Sequence, residues 1–137
     1  KQPDLAVIAS LRSDLAAALM GQHHEKEAEE QLSLARAVYV TVYGEKSSKT
    51  IRIDLQRAGF ATAVGDNARA EKILAPFLAM TDLSPNERAD VNWRAARASK
   101  DKQRARTYAT TALQLAKDTG DTAFVAEIND WLEKQGA

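Results

Sequence analysis

The 137 residues contain no cysteine, which removes a disulfide framework, a thiolate nucleophile and any zinc site built on thiolates. The redox compartment is therefore left open, with the cytosol favoured. Histidine is confined to His23 and His24. Adjacent side chains on a helix point about 100° apart and lack the i, i+4 spacing by which two imidazoles share a metal. The pair falls in an expected turn beside Glu25 and Glu27, where two solvated imidazoles are the simpler state. Any Ser-His-Asp or Cys-His arrangement would have to be built on that same turn. A phosphate-cradling loop is missing too, since Gly59 and Gly65 stand apart with no Gly-Lys-Ser/Thr. No cofactor or metal is implied, and no enzymatic activity is expected. Charge of one sign is equally lacking: 19 Lys plus Arg balance 19 Asp plus Glu. No global field draws the chain to nucleic acid or to an anionic membrane. Apolar runs extend only a few residues, too short for a membrane span or a signal segment. The chain opens on Lys1 rather than Met, and is expected to be a fragment or processed piece of a longer, cytoplasmic protein.

What is present is 45% hydrophobic and 28% charged residues, rich in Ala, Leu, Glu, Lys, Arg and Gln. That composition suits a folded helical chain of single-domain size. One short pattern recurs three times: Lys26-Glu27-Ala28-Glu29-x2-Leu32-x2-Ala35, Arg69-Ala70-Glu71-x2-Leu74-x2-Phe77 and Arg104-Ala105-Arg106-x2-Ala109-x2-Ala112. A small residue for close packing, followed by apolar residues one and two turns later, builds a stacked array rather than a globule with one pocket.

Along the chain, Leu5, Ile8, Leu11, Leu15 and Leu19 step by three or four, which predicts a core-facing stripe on a first helix that Gly21, Gln22 and His23 interrupt. Ala28, Leu32, Ala35, Val38 and Val42 predict a second helix from about Glu25 to Tyr43, closed by Gly44. Its early Glu25, Glu27, Glu29 and Glu30 suit the positive end of the helix dipole. Ser47 or Ser48 caps a third helix with Ile51, Leu55, Ala58 and Val64 on its stripe, and Asp66 or Asn67 caps a fourth, about Ala68 to Met80. Pro76 inside that helix removes a hydrogen bond at a cost on the order of 3 kcal/mol, so a kink is predicted there. Ser84-Pro85-Asn86-Glu87 marks the clearest helix start, with proline at the first helical position and serine reciprocated by glutamate. A fifth helix to about Ala98, a sixth to Gly120 with Ala105, Tyr108, Ala109, Ala112 and Leu113 inward, and a last one from Asp121 to about Lys134 follow. Phe124, Val125, Ile128, Trp131 and Leu132 line one side of the last helix, which reads as a lid. No stretch reads as a β-strand.

At Leu15-Ala16-x2-Leu19 followed by Ala28-x3-Leu32-x2-Ala35, the first pair resembles the tetratricopeptide repeat, whose first helix carries Leu-Gly-x2-Tyr and whose second carries Ala-x3-Phe. The 13-residue offset from Leu15 to Ala28 returns from Arg57 to Ala70 and from Asn92 to Ala105. Arg57 stands at a usual leucine position, Trp93 at a usual small one, and no proline ends any second helix. The spacing from Ala28 to Ala70, with the loop Tyr43-Gly44-Glu45-Lys46-Ser47-Ser48-Lys49-Thr50, looks like the kinesin-light-chain class, which bacteria often append to kinases, transcription regulators and signalling ATPases. The resemblance implies an all-α fold over residues 1–137: an α-solenoid of three antiparallel helix pairs, about 4–43, 48–80 and 85–119, with a capping helix at 121–134. It implies a non-catalytic interaction scaffold that binds a peptide or partner protein in the concave groove of the array, serving as the C-terminal module of a bacterial signalling or regulatory protein.

Transferred by alignment, the family's groove positions fall on Ser10, Ser13, Asp14, Ala17 and Met20, on Arg52, Gln56, Gly59, Thr62 and Ala63, and on Glu87, Asp90, Arg94 and Arg97. Asp14, Arg52, Gln56, Arg94 and Arg97 are the expected peptide-binding residues, since arginine grips a carboxylate bidentately. The basic stretch from Arg94 to Arg106, flanked by Trp93 and Tyr108, suits a short acidic peptide. Two other expectations stand beside it. Open stacking ends predict self-association, the first helix packing on its copy or on a neighbour's last helix. Nucleic-acid binding through the Arg94 to Arg106 stretch is the third, with the two aromatics more ordinarily placed in a core.

Overall fold

The computed structural model describes residues 4–136, which form α-helices α1 (Leu5–Gly21), α2 (Glu25–Tyr43), α3 (Ser48–Ala63), α4 (Asn67–Leu78), α5 (Pro85–Ala98), α6 (Lys102–Thr119) and α7 (Thr122–Gly136). No strand occurs among the described residues. Two compact units divide the chain, Lys1–Val64 and Gly65–Ala137. The sequence segment 48–80 expected as the second pair therefore contributes α3 to one unit and α4 to the other.

Local chemistry sets the helix ends. Asp4 Oδ1 accepts from the Ala6 N–H at 2.9 Å to start α1, and Ser47 accepts from the Lys49 N–H to start α3. Asp66 caps α4 through the Arg69 N–H, and Asp101 caps α6 through the N–H groups of Gln103 and Arg104. At α5 the reciprocal box is complete: the Glu87 N–H donates to Ser84 Oγ at 3.2 Å and the Ser84 N–H to Glu87 Oε1 at 3.1 Å. After α1 the left-handed turn is taken by His23 (φ 65°) rather than by Gly21, which stays helical. α4 stops at Leu78 instead of Met80, with Pro76 inside it, whose missing N–H leaves the Lys72 carbonyl without its helical donor.

In the first unit α1 packs on α2 and α2 on α3, around a core of Ala9, Ala16, Ala28, Leu32, Ala35, Tyr39, Ile53 and Phe60. One expectation is corrected here. Most of the α1 stripe does not face the core: Leu5, Leu11 and Leu15 are 59%, 61% and 47% exposed, whereas Leu19 packs against it and Ala9 and Ala16 are fully buried. The apolar sector of α1 is wider than the surface α2 and α3 cover, and small side chains occupy the seam because they let backbones approach closely. In the second unit α4 packs on α5, α5 on α6 and α6 on α7. Trp93, Ala96, Ala109, Ala112, Ala116 and Ile128 form its core, with Phe124, Val125, Trp131 and Leu132 of α7 packed against them. All nine apolar positions of the threefold pattern are buried: Ala28, Leu32 and Ala35 on α2, Ala70, Leu74 and Phe77 on α4, Ala105, Ala109 and Ala112 on α6. Twelve residues before each leading alanine, Ala16, Ala58 and Trp93 are buried as well, whereas Leu15, Arg57 and Asn92 at the 13-residue offset are not.

Candidate functional site

Within the second unit, α5 and the start of α7 enclose a cleft of about 460 Å3, lined by Asn86, Ala89, Asp90, Trp93, Arg94 and Arg97 from α5 and by Asp121, Phe124 and Glu127 from α7 and the residue before it. Steps of three and four place each set on one helical face. Trp93, 6% exposed, supports the floor; its ring meets Phe124 edge-on at 6.1 Å and Trp131 edge-on at 5.6 Å between centroids. The Arg97 guanidinium lies 5.9 Å over the Trp93 ring, so the aromatic holds the cation at the cleft without consuming its donors. Arg94 Nε donates to Asp90 Oδ1 at 2.8 Å, which fixes one guanidinium edge. Asp121 accepts from the Phe124 N–H at 3.1 Å and is thereby committed to the start of α7. Arg97 and Glu127 make no hydrogen bond or ion pair with other described residues. The cleft thus presents one uncommitted cation and one uncommitted anion beside an aromatic floor.

The expected groove residues sort themselves by unit. Arg94, Arg97 and Asp90 meet in this cleft. Glu87 is spent on the capping box. In the first unit, Gln56 is engaged with α1: Ser13 Oγ donates to its Oε1 at 2.8 Å and its Nε2 donates to the Ser13 carbonyl at 3.2 Å. Asp14 and Arg52 are exposed on α1 and α3. Trp93 has its ring against Phe124, Trp131 and Arg97, whereas Arg104 of the basic stretch donates to the Tyr108 hydroxyl at 3.4 Å on α6. That hydrogen bond, with the further attraction of Tyr108, raises the Arg104 pKa above its ordinary value. No family model, curated protein or solved structure matches this chain. The cleft accordingly rests on its own geometry. Asn86 and the α7 contributions Asp121, Phe124 and Glu127 were not among the expected site residues; their signal is the three-residue step 121, 124, 127 on a helix otherwise legible as a lid.

A second polar cluster ties the first unit together. Asp54, 5% exposed on α3, accepts from Arg36 Nε at 2.6 Å, Arg36 Nη2 at 3.2 Å and Arg57 Nη1 at 2.9 Å. The Asp54 hydrogen bond raises the Arg36 pKa and outweighs the opposing effect of burial. Arg36 thereby ties α2 to α3, while Arg57 pairs with Asp54 within α3, which gives it its place at a position otherwise suited to leucine. Among the described residues no group of three or more His, Asp or Glu stands close enough to hold a metal ion, and no helix is long and apolar enough to cross a membrane.

Proposed function

We propose that this chain is a non-catalytic protein-interaction module of the tetratricopeptide type, and that the α5–α7 cleft takes a peptide segment of a partner protein. Supporting the repeat assignment is the threefold pattern, whose positions are equivalently buried in α2, α4 and α6. The observation that carries the site is the pairing of Arg97, stacked on Trp93, with the open carboxylate of Glu127 across a cleft of about 460 Å3. A peptide supplies what such a lining accepts: a carboxylate for the guanidinium, N–H donors or a basic side chain for Glu127, and an apolar side chain for the aromatic floor. Three carboxylates, Asp90, Asp121 and Glu127, against two guanidiniums favour a segment of mixed charge over a purely acidic one.

Selection of binders from a displayed random-peptide library on the immobilised chain tests this. A selected peptide is expected to lose about tenfold or more in affinity with Arg97→Ala and again with Glu127→Ala, corresponding to about 1.4 kcal/mol each. Circular dichroism of both variants should match the parent. Affinity unchanged by both substitutions but lost with Asp14→Ala or Arg52→Ala would move the site to the first unit.

A further inference from the structure

A further cavity of the second unit, about 350 Å3, lies among α4, α5 and α6. Its α5 contribution, Ala95, stands about 160° around that helix from both Trp93 and Arg97, so the cavity is separate from the peptide cleft. On α4, steps of three and four from Glu71 through Leu74 and Ala75 to Leu78 turn one face to it. The void has a cause in the sequence. Ala75, Ala79 and Ala95 stand where larger apolar side chains would close the space over buried Leu74. The polar end is built from two helices: Arg104 and Tyr108, one turn apart on α6, line the cavity together with half-buried Glu71 of α4. Arg104 Nη2 donates to the Tyr108 hydroxyl at 3.4 Å, a long contact that leaves the other guanidinium donors and the Tyr108 O–H open. Glu71 attracts Arg104 electrostatically, yet its carboxylate makes no hydrogen bond or ion pair with a described residue. An apolar chamber thus ends in one open cation and one open anion.

We propose that this cavity binds a free α-amino acid with an apolar side chain. A monoanion would set its charge against Glu71, and a monocation would set its charge against Arg104. A zwitterion satisfies both. Its carboxylate accepts from the Arg104 guanidinium and the Tyr108 O–H, its ammonium donates to Glu71, and its side chain covers Leu74 among the three alanines. The volume falls at the small end of ligand sites, which span about 300–1,000 Å3, and so suits a metabolite rather than a peptide segment.

Titration of the isotope-labelled chain with L-leucine, followed by amide NMR, tests this. Saturable shifts are expected at Ala75, Ala79 and Tyr108, with a dissociation constant of about 1 mM or tighter, and none at Arg97 or Glu127. Two relatives of the probe separate the charged ends. Isocaproate, which lacks the ammonium, and isoamylamine, which lacks the carboxylate, should each bind about tenfold more weakly or worse. In Glu71→Gln the advantage of L-leucine over isocaproate should vanish, and in Arg104→Gln its advantage over isoamylamine. Ala75→Phe, at an exposed helical position, fills the mouth and should abolish the shifts with an unchanged circular dichroism spectrum. The Glu71 and Arg104 variants decide if that one does not fold. Arg97→Ala, in the peptide cleft, should leave L-leucine binding intact, so failure of the cleft assignment and failure of this one are told apart. N-acetyl-L-leucinamide stands for a leucine inside a partner chain, and its binding as tightly as L-leucine overturns the proposal. Equal or tighter binding of isocaproate or isoamylamine to the parent chain does so too, as does the lack of a saturable shift with L-leucine, L-methionine and L-phenylalanine up to about 10 mM.

Discussion

Replacing Asp54 with asparagine keeps the side-chain shape and removes the charge that two guanidiniums share. The carboxylate accepts three hydrogen bonds at 2.6, 2.9 and 3.2 Å. An asparagine with its carbonyl at the Oδ1 position keeps the bonds from Arg36 Nε and Arg57 Nη1, now to a neutral acceptor of about half the strength, while its NH2 faces the Arg36 Nη2 donor. One hydrogen bond to a charged partner is then lost outright, about 1.5–3 kcal/mol, and the other two are weakened. Arg36 and Arg57 are 31% and 29% exposed, so the released guanidiniums recover part of that by reaching water. A net cost of about 3 kcal/mol follows, the lower end for breaking a buried ion pair. Urea unfolding monitored by circular dichroism measures it directly, and the thermal midpoint should fall by about 10 °C. The mechanism also predicts a rescue. Asp54→Leu with Arg36→Met and Arg57→Leu removes all three charges, fills the space with apolar atoms and should regain most of the loss. A cost below about 1 kcal/mol for Asp54→Asn, which is ordinary for a point substitution, would refute the view that the triad holds α2 to α3. So would a triple variant as unstable as the single one.

The α1–α2 seam predicts that Ala16→Leu, an insertion at a fully buried position, costs about 1–3 kcal/mol, and that Leu32→Ala costs about 3 kcal/mol, both read by urea unfolding. Ser84→Ala removes the serine half of the α5 box and should cost about 1 kcal/mol in the same assay. The Arg36 pKa is raised in the folded state, so its contribution is fully present below the ordinary arginine value and lost only as pH rises through the folded one. The stability added by Arg36, taken as the difference between the parent and Arg36→Met, should therefore stay constant between about pH 6 and pH 10; a fall within that window would contradict it.

Much of the candidate cleft was half legible. Arg94 and Arg97 lie at groove positions of the family the chain resembles, three residues apart on one α5 face, and both line the cleft. Glu127 and Phe124 escaped because a terminal helix with one apolar side reads equally well as a lid, and only its packing beside α5 turns 121, 124 and 127 toward the same space. Asp54 escaped for a different reason. Its main partner, Arg36, is 18 residues earlier on another helix, and no local spacing announces an ion pair formed by packing.

What the amino-acid order determined alone were features whose partners sit within a turn or whose spacing repeats. The Ser84–Glu87 box, the cap at Asp66, one of the two residues expected to start α4, and the buried Ala-x3-apolar positions of α2, α4 and α6 need nothing beyond helical geometry and residue size. The tertiary structure alone decided which part of an apolar sector becomes core. On α1 periodicity favoured Leu11 and Leu15, yet close approach of α2 selected Ala9 and Ala16 and left the leucines to solvent, because a helix seam accepts the side chains that fit its width rather than the most hydrophobic ones.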